Sequence, residues 1–240
     1  MIKTPNFSPN FSKKNRKISD IKFVIIHYTG MQSEIASIKR LKNPKFKVSC
    51  HYLINRKGNV IQMVEDKKIA WHAGKSKWKK FINLNENSIG IELVNKGHRL
   101  GYQNFTEIQI KSLITLCKKL KKKYRIKKEN FLGHSDIAPL RKVDPGEKFP
   151  WKRLSNYNLG KWYQKRKKNL RIKLNSKKID VDRAFFKNLQ KIGYRFFSVN
   201  KRSINKDKKI IKSFQQHFLP NNVTGKIDQK TLKISHFLTF

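Results

Sequence analysis

Apolar residues fall into short β-branched runs and into helically spaced sets along the first part of the chain. A continuous apolar run predicts a buried strand, whereas apolar residues three and four positions apart predict an amphipathic helix. The predicted strands are residues 21–27, 49–54, 60–64, 88–94 and 130–133. The predicted helices are residues 32–42, capped by Ser33, and 106–123, opened by a capping-box pattern.

Residues 180–240 have a pattern of their own, in which three short helices are predicted. Before them, residues 161–178 carry nine basic and no acidic side chains, which indicates an exposed basic segment. The 240 residues suffice for one medium domain and one small one. The predicted division is an N-terminal arm (1–20), a catalytic domain (21–163), a basic linker (164–179) and a small helical domain (180–240).

The charge is strongly one-sided, with 57 Lys and Arg against 15 Asp and Glu and a net charge of +42. Such a chain is attracted to polyanions, so we expect non-specific polyanion binding. A compositional bias that spreads lysine along the whole chain explains the charge equally well. Since no nucleic-acid motif is present, no dedicated nucleic-acid site is expected.

Cysteine use and the N-terminus bear on location. Cys50 and Cys117 both sit beside apolar residues, which favours two small buried side chains over a disulfide. The N-terminus lacks a basic region followed by an apolar run, and no stretch approaches eighteen apolar residues. We therefore expect a cytoplasmic protein without a membrane span, with the periplasm or envelope as the alternative.

The loop 133–151 concentrates the chemistry of the chain. It holds His134, Lys142 and Asp144, and its three prolines and a glycine exclude a long helix or a central strand. Imidazole nitrogen and carboxylate oxygen are ligands that zinc accepts, and a catalytic zinc usually has three protein ligands. The third candidate is His27, which ends the apolar run of the first strand. A lone histidine there would otherwise be a hydrogen-bonded core residue.

Glu92 is the candidate general base. It is a single carboxylate within an apolar strand, on the opposite face from Ile89 and Ile91. Lys142 supplies a cation that could stabilise negative charge on a carbonyl oxygen under attack. One zinc ion, a carboxylate base and a cation suffice to hydrolyse an amide, although scattered His and Asp residues are common in any chain.

Several aromatic and imidazole residues are candidates for substrate contact. Trp71 and His72 lie in Ala-Trp-His-Ala-Gly, where they line a substrate groove or simply pack in the core. Tyr28 follows His27 directly, and His51 lies inside a predicted strand, where a structural role is favoured over metal ligation. We expect His217, in the last third of the chain, to lie on a helix surface.

Six ordered motifs resemble one family, the zinc-dependent N-acetylmuramoyl-L-alanine amidases of the AmpD/AmiD type, with a fold like that of the peptidoglycan-recognition proteins. The resemblance runs from about Ile21 to Trp162. The motifs are Val-Ile-Ile-His-Tyr-Thr (24–29), Ser-Cys-His-Tyr-Leu-Ile (49–54), Ala-Trp-His-Ala-Gly (70–74), Asn-Ser-Ile-Gly-Ile-Glu (87–92), Gly-His-Ser-Asp-Ile-Ala-Pro (133–139) and Arg-Lys-Val-Asp-Pro-Gly (141–146).

This resemblance implies an α/β fold with a central mixed β-sheet flanked by helices. It implies that His27, His134 and Asp144 bind one catalytic zinc, that Glu92 is the catalytic acid/base and that Lys142 helps to stabilise the transition state. The expected reaction is hydrolysis of the amide between N-acetylmuramic acid and L-alanine in peptidoglycan or in (anhydro-)muropeptides. A non-catalytic muropeptide-binding module is the alternative function.

Residues 213–228 are similar to the small helical peptidoglycan-binding domain that follows some of these amidases. That similarity implies a glycan-binding role, although a helical bundle that only packs on the catalytic domain fits as well. Exported members of the AmiD type carry a signal and lipid anchor, whereas the cytoplasmic AmpD type usually lacks the second domain. This sequence mixes these features, so intact wall and recycled fragments both stay open as substrates.

Overall fold

The computed structural model describes residues 2–3, 6–164 and 180–240 of the chain. The strands are β1 (Ile2–Lys3), β2 (Phe11–Ser12), β3 (Phe23–Tyr28), β4 (Tyr52–Ile54), β5 (Val60–Gln62), β6 (Ile69–Ala70), β7 (Lys77–Trp78), β8 (Phe81–Ile82), β9 (Ser88–Leu93) and β10 (Phe131–Gly133). The α-helices are α1 (Glu34–Lys42), α2 (Glu107–Tyr124), α3 (His134–Ile137), α4 (Trp151–Ser155), α5 (Val181–Ile192), α6 (Ile204–Phe218) and α7 (Gln229–Phe237). Short 3₁₀ turns cover Ile18–Asp20, Pro44–Phe46, Leu84–Asn87 and Lys128–Asn130.

Six strands form the central sheet in the order β1-β5-β4-β9-β3-β10. Strands β4, β9, β3 and β10 are parallel, while β5 pairs antiparallel with β4, so the sheet is mixed as expected. In the β3–β9 register, His27 lies opposite Glu92, and Gly133 of β10 lies opposite Ile26. The carboxyl ends of three parallel strands therefore bring the predicted site residues to one edge of the sheet.

Helix α2 covers one face of the sheet. Its apolar stripe packs with Ile89, Ile91 and Leu93 of β9 in one buried cluster. Thr106 caps the helix by accepting the N–H of Gln109 at 3.2 Å. The Gln109 side chain does not complete the predicted capping box, because it donates to two backbone carbonyls of the neighbouring strands instead.

The other face of the sheet is covered by the three C-terminal helices. Phe23 and Ile25 of β3 share a buried cluster with Phe185 of α5 and Phe214 of α6. Helices therefore flank both faces, which confirms the predicted fold class. The division into domains stays a prediction, and residues 165–179 of the predicted linker lie outside the described residues.

The described part of the N-terminal segment is bound to the rest of the chain along much of its length. Strand β2 pairs antiparallel with β6, and the buried Asn10 donates from its amide to the carbonyl of Leu41 at 3.1 Å. The Arg16 side chain is also buried, and its guanidinium donates to the carbonyls of Asp66 and Ser88. This segment therefore belongs to the packed structure.

The predictions for cysteine are confirmed, since Cys50 and Cys117 are both buried and free. Among the described residues, no helix combines the length and the apolar character that a bilayer crossing requires.

Candidate metal centre and active site

Three donor atoms from three segments meet at the carboxyl edge of the sheet. His27 Nδ1 lies 2.9 Å from His134 Nδ1, and both nitrogens lie near one oxygen of Asp144, at 3.1 and 3.0 Å. All three residues are buried, and together they form a group that could hold a metal ion. His27 is the penultimate residue of β3, His134 begins α3 directly after β10, and Asp144 follows in the same loop, so the sheet edge assembles the set.

The hydrogen bonds of each ligand histidine determine which ring nitrogen carries its proton. His134 Nε2 lies 3.1 Å from the carbonyl oxygen of Ala73, which can only accept a hydrogen bond. Nε2 therefore carries a proton, and in the neutral ring the Nδ1 lone pair of His134 points toward Asp144.

A chain of three hydrogen bonds determines the tautomer of His27 in the same way. The Ser88 hydroxyl donates to the carbonyl of Leu84, so it must accept from His72 Nε2 at 3.2 Å. His72 Nδ1 is then an acceptor, and it receives the Nε2–H of His27 at 3.1 Å. The backbone carbonyl of Leu84 thus leaves His27 Nδ1 without a proton.

With both imidazoles neutral, the state that metal ligation requires, two nitrogen lone pairs and one carboxylate oxygen would converge within about 3 Å of one another without a proton between them. Such an arrangement is repulsive by itself and is relieved by a cation that all three atoms coordinate. The donor set therefore fits a metal ion, with one carboxylate and two neutral imidazoles.

The Ala-Trp-His-Ala-Gly segment supports both ligand histidines through adjacent residues. The His72 side chain accepts from His27, while the Ala73 carbonyl accepts from His134. The segment itself is held by Asn85, whose side-chain oxygen accepts the N–H groups of residues 72 and 73. His72 is consequently buried behind His27, and it does not line an open groove.

Gly90 explains why a glycine interrupts the apolar strand β9. A Cβ atom at this position would lie 2.4 Å from Cγ of His72, well inside van der Waals contact. The N–H of Gly90 also donates to His51 Nδ1 at 3.0 Å, and His51 is fully buried. His51 therefore supports the strand beneath the site, in agreement with the structural role favoured for it and away from any substrate contact.

Burial controls the charge of three imidazoles, namely His27 in the donor set and His51 and His72 behind it. Burial lowers the pKa of His27 to about 4, with a further contribution from His134. Burial likewise lowers the pKa of His51 to about 3 and that of His72 well below its ordinary value. These rings are therefore neutral at pH 7, which is the state that the hydrogen-bond chain and metal ligation both require.

Glu92 and Lys142 stand beside the donor set. Glu92 is 9% exposed, and its Oε2 has no hydrogen-bond partner among the described residues. Burial raises the pKa of Glu92 to about 8, with Asp144 adding to the effect and Lys142 opposing it. Lys142 is half-buried and close enough to act electrostatically on both Glu92 and His27. A buried carboxylate with a free oxygen is available to accept a proton.

Tyr28 and Trp71 have different positions from the two buried histidines. Tyr28 is partly exposed next to His27, and its hydroxyl lies 2.9 Å from His98 Nδ1. Trp71 is also partly exposed, and its backbone N–H donates to Ser49 Oγ at 2.8 Å. Both therefore retain the exposure that a substrate contact needs.

The sequence analysis did not predict a role for four residues near the site, which are His98, Tyr102, Arg141 and Glu147. His98 stacks on Tyr102 with ring centroids 4.3 Å apart, and its Nε2 lies 3.1 Å from Glu147. This hydrogen bond lowers the pKa of Glu147 to about 2. Arg141 donates to the carbonyl of Ala73 and so braces the acceptor of His134. His98 and Tyr102 occupy a segment without periodicity, so only their residue types could have identified them.

His217 is placed wrongly by the sequence analysis. The prediction set it on a helix surface, but it is 3% exposed, and its Nδ1 lies 2.8 Å from Asp136 Oδ2. Its ring stacks on Trp151 at a centroid distance of 4.1 Å. The apolar pattern of α6 could not reveal this, because the helix is covered on two sides by different parts of the chain.

Comparison with known proteins shows the family of the chain. Residues 17–147 match the family Amidase_2, N-acetylmuramoyl-L-alanine amidase. The chain is 35% identical over 231 residues to the N-acetylmuramoyl-L-alanine amidase AmiD of Escherichia coli, spanning 91% of this chain and 82% of AmiD. The 1,6-anhydro-N-acetylmuramyl-L-alanine amidase AmpD of Haemophilus influenzae is 35% identical over 164 residues, spanning 61% of this chain and 86% of AmpD.

Solved structures extend the similarity to nearly the whole chain. Escherichia coli AmiD in complex with its substrate anhydro-N-acetylmuramic acid-L-Ala-D-gamma-Glu-L-Lys superposes with a TM-score of 0.81 at 32% identity, covering 95% of this chain and 91% of AmiD. AmpDH3 of Pseudomonas aeruginosa in complex with anhydromuramic pentapeptide gives a TM-score of 0.80 at 29% identity, covering 94% of this chain and 93% of AmpDH3. The family match spans more than half of the chain, and the alignment with AmiD spans most of both proteins. The chain therefore belongs to the N-acetylmuramoyl-L-alanine amidase family Amidase_2 and is an amidase of the AmpD/AmiD type.

Proposed function

We propose that this enzyme hydrolyses the amide between anhydro-N-acetylmuramic acid and L-alanine in muropeptides, with one zinc ion on His27, His134 and Asp144. The observation that supports it best is the convergence of two imidazole nitrogens and one carboxylate oxygen beside the buried Glu92, one oxygen of which has no hydrogen-bond partner among the described residues. The substrate class follows from the ligands in the AmiD and AmpDH3 complexes, which are both anhydromuramic peptides.

Zinc fits the donor set in both chemistry and size. Two imidazole nitrogens and one carboxylate oxygen match the three-ligand sets of catalytic zinc sites, which keep a fourth position open. Ligands at about 2.0–2.1 Å from a tetrahedral zinc lie about 3.3 Å apart. The separations of 2.9 to 3.1 Å here need only a small outward adjustment to reach that value. When bound, zinc supplies a Lewis acid for the amide carbonyl and a lowered pKa for water.

Glu92 acts as the proton carrier in this proposal. Its free Oε2 can take the proton of the attacking water and later return a proton to the leaving amine of L-alanine. Burial sets its pKa to about 8 without a metal ion, and a nearby dication lowers that value toward neutrality. A carboxyl poised near neutral pH is suited to both transfers.

Lys142 stabilises the negative charge that develops on the carbonyl oxygen. The electrostatic effect of its ammonium on both His27 and Glu92 supports this role. A fixed cation in a partly buried site is more effective there than in water, because the effective dielectric constant is lower.

Product analysis on two substrates tests the proposal. The wild type, Glu92→Gln and the control Glu65→Gln would be incubated with a defined anhydromuropeptide and with intact sacculi, in zinc and in chelator. We expect the wild type and Glu65→Gln, whose carboxylate is exposed, to release stem peptide beginning at L-alanine in zinc only. Glu92→Gln should lose at least 100-fold in rate.

The two substrate arms separate a fragment-recycling amidase from one that also cleaves the wall. Release from the fragment alone would favour a role in recycling, whereas release from both would favour action in the envelope. Cleavage at another bond, or an unchanged rate in Glu92→Gln, would contradict the proposed reaction.

A further inference from the structure

Helix α6 lies along the metal-binding loop and contacts it through a polar stripe. Lys209, Ser213, Gln216 and His217 are spaced as one helix face. Each side chain forms one hydrogen bond with the loop. Lys209 and Ser213 donate to the carbonyls of Leu140 (3.3 Å) and Ser135 (2.8 Å), respectively. Gln216 and His217 bond to the carboxylates of Glu147 (3.2 Å) and Asp136 (2.8 Å), respectively. The neighbouring apolar stripe of α6 packs in the core of the C-terminal helices.

Asp136 is the centre of these contacts. Its Oδ2 accepts the N–H of Gly133 at 2.7 Å, at the junction between β10 and α3. The same oxygen lies 2.8 Å from His217 Nδ1, and Oδ1 accepts the Tyr194 hydroxyl at 2.5 Å. Asp136 is 1% exposed, so the carboxylate is shielded from water and depends on these partners.

Helix α3 cannot hold its own shape. It has only four residues, and isolated helices of that length are unstable in water because nucleation is costly. Its first residue is His134, a donor of the metal site. The orientation of this imidazole therefore depends on whatever fixes α3 and the preceding Gly133.

We propose that the C-terminal helices position the metal ligand His134, with Asp136, Tyr194 and His217 as the positioning residues. The inference rests on the proposed metal site and gives residues 180–240 a role inside the active-site scaffold. Tyr194 and His217 come from the C-terminal helices and their connections, whereas Asp136 is two residues from His134. The C-terminal helices thus supply two of the three hydrogen bonds of the carboxylate that caps the ligand-bearing turn.

Three substitutions remove these contacts without removing the shape of the side chains. Tyr194→Phe deletes one hydroxyl, His217→Phe keeps a ring against Trp151 but loses the Nδ1 donor, and Asp136→Asn alters the carboxylate itself. The matched control is Phe185→Leu, which weakens the core of the same helices. Among the described residues, the Phe185 ring contacts the rings of Phe186 and Phe214 but none of the partners of Asp136, so its loss leaves the contacts of Asp136 in place.

The readout is zinc affinity of the full chain, measured by competition with a chromophoric chelator, together with the visible spectrum of the cobalt(II)-loaded protein. We expect zinc affinity to fall 10- to 100-fold in Asp136→Asn and His217→Phe and about threefold in Tyr194→Phe. The cobalt bands should shift in the first two variants. Phe185→Leu should lower the melting temperature yet keep the zinc affinity and the spectrum of the wild type.

Zinc affinities within twofold of the wild type in all three folded variants would overturn the inference. An equal loss in Phe185→Leu would also overturn it, because the effect would then be one of general stability. A wild-type chain that binds no zinc would instead contradict the proposed function. A wild type that binds zinc and cleaves substrate, with unaffected variants, would refute the positioning role alone.

Discussion

His72 Nδ1 lies 3.1 Å from His27 Nε2 and accepts a hydrogen bond from its N–H. The other ring nitrogen of His27, Nδ1, belongs to the donor set that could hold a metal ion. The acceptor role of His72 is fixed from behind by Ser88, whose hydroxyl donates to a backbone carbonyl. One buried histidine therefore determines the ligand state of another. This relationship makes His72 a positioning residue, although its side chain is buried.

Replacing His72 by Phe should weaken zinc binding by 10- to 100-fold. The Phe ring fills a similar volume but cannot accept from His27, so the tautomer and orientation of His27 are no longer fixed. Competition with a chelator measures the effect, with His236→Phe in α7 as the control histidine. An affinity equal to that of the wild type would show that His27 needs no partner.

Gly90→Ala should destabilise the metal-free protein by about 1–3 kcal/mol. The new methyl group would lie 2.4 Å from the His72 ring, and the strand cannot move because it is paired on both sides. In the His72→Ala variant, Gly90→Ala should lower the free energy of unfolding much less, because the imidazole ring that the methyl group would meet is absent. Urea unfolding of the four proteins gives the coupling energy. Additive losses would mean that the two residues do not compete for space.

Glu92→Gln should stabilise the metal-free protein at neutral pH while it abolishes activity. Burial holds the pKa of Glu92 at about 8, above its ordinary value of 4.5. The folded state therefore keeps a proton that the unfolded state has lost, and stability falls as pH rises from 4.5 to 8. Removing this titration should raise the free energy of unfolding by about 3 kcal/mol at pH 7 and have little effect below pH 4.5.

Unfolding in urea at pH 4, 6, 7 and 8, in the presence of chelator, measures this difference. Glu65→Gln serves as the control, because that side chain is exposed and its substitution should leave the curve unchanged. A stability difference that does not depend on pH would indicate that Glu92 is already ionised in the metal-free fold.

Lys142→Ala should lower kcat by about 10²–10³ and leave zinc affinity within a few-fold of the wild type. In the proposed mechanism the ammonium acts on charge that appears during the reaction, and Lys142 is not one of the three grouped metal donors. Lys142→Arg should recover part of the rate. Steady-state kinetics compare both with Lys45→Ala, an exposed lysine elsewhere. A change in KM alone would assign Lys142 to substrate binding.

The strands and their end residues could be predicted from the sequence. The run 21–27 predicted β3 within two residues, and its terminal His27 is indeed beside Glu92 and the loop 133–151. Parallel strands that end at one edge make such an assembly a consequence of topology. Residue types and strand ends were therefore sufficient to predict that His27, His134 and Asp144 lie together.

The support behind the site could not be predicted in the same way. Periodicity identifies the buried face of an element, but it does not show which ring nitrogen of His72 faces which neighbour. The position of His217 required knowledge of how α6 docks on the loop, and the burial of Arg16 required the path of the N-terminal arm. These contacts join residues 16 to 81 positions apart, where sequence patterns carry no distance information.

Titration of zinc into the metal-free enzyme, with hydrolysis of a defined anhydromuropeptide followed at each step, tests the central claim most directly. The account predicts no cleavage without metal, a linear rise in rate and a plateau at one zinc per chain, with His27→Ala, His134→Ala and Asp144→Ala inactive across the same range. Full activity of the metal-free chain, or a plateau that any of the three substitutions leaves unchanged, would contradict it.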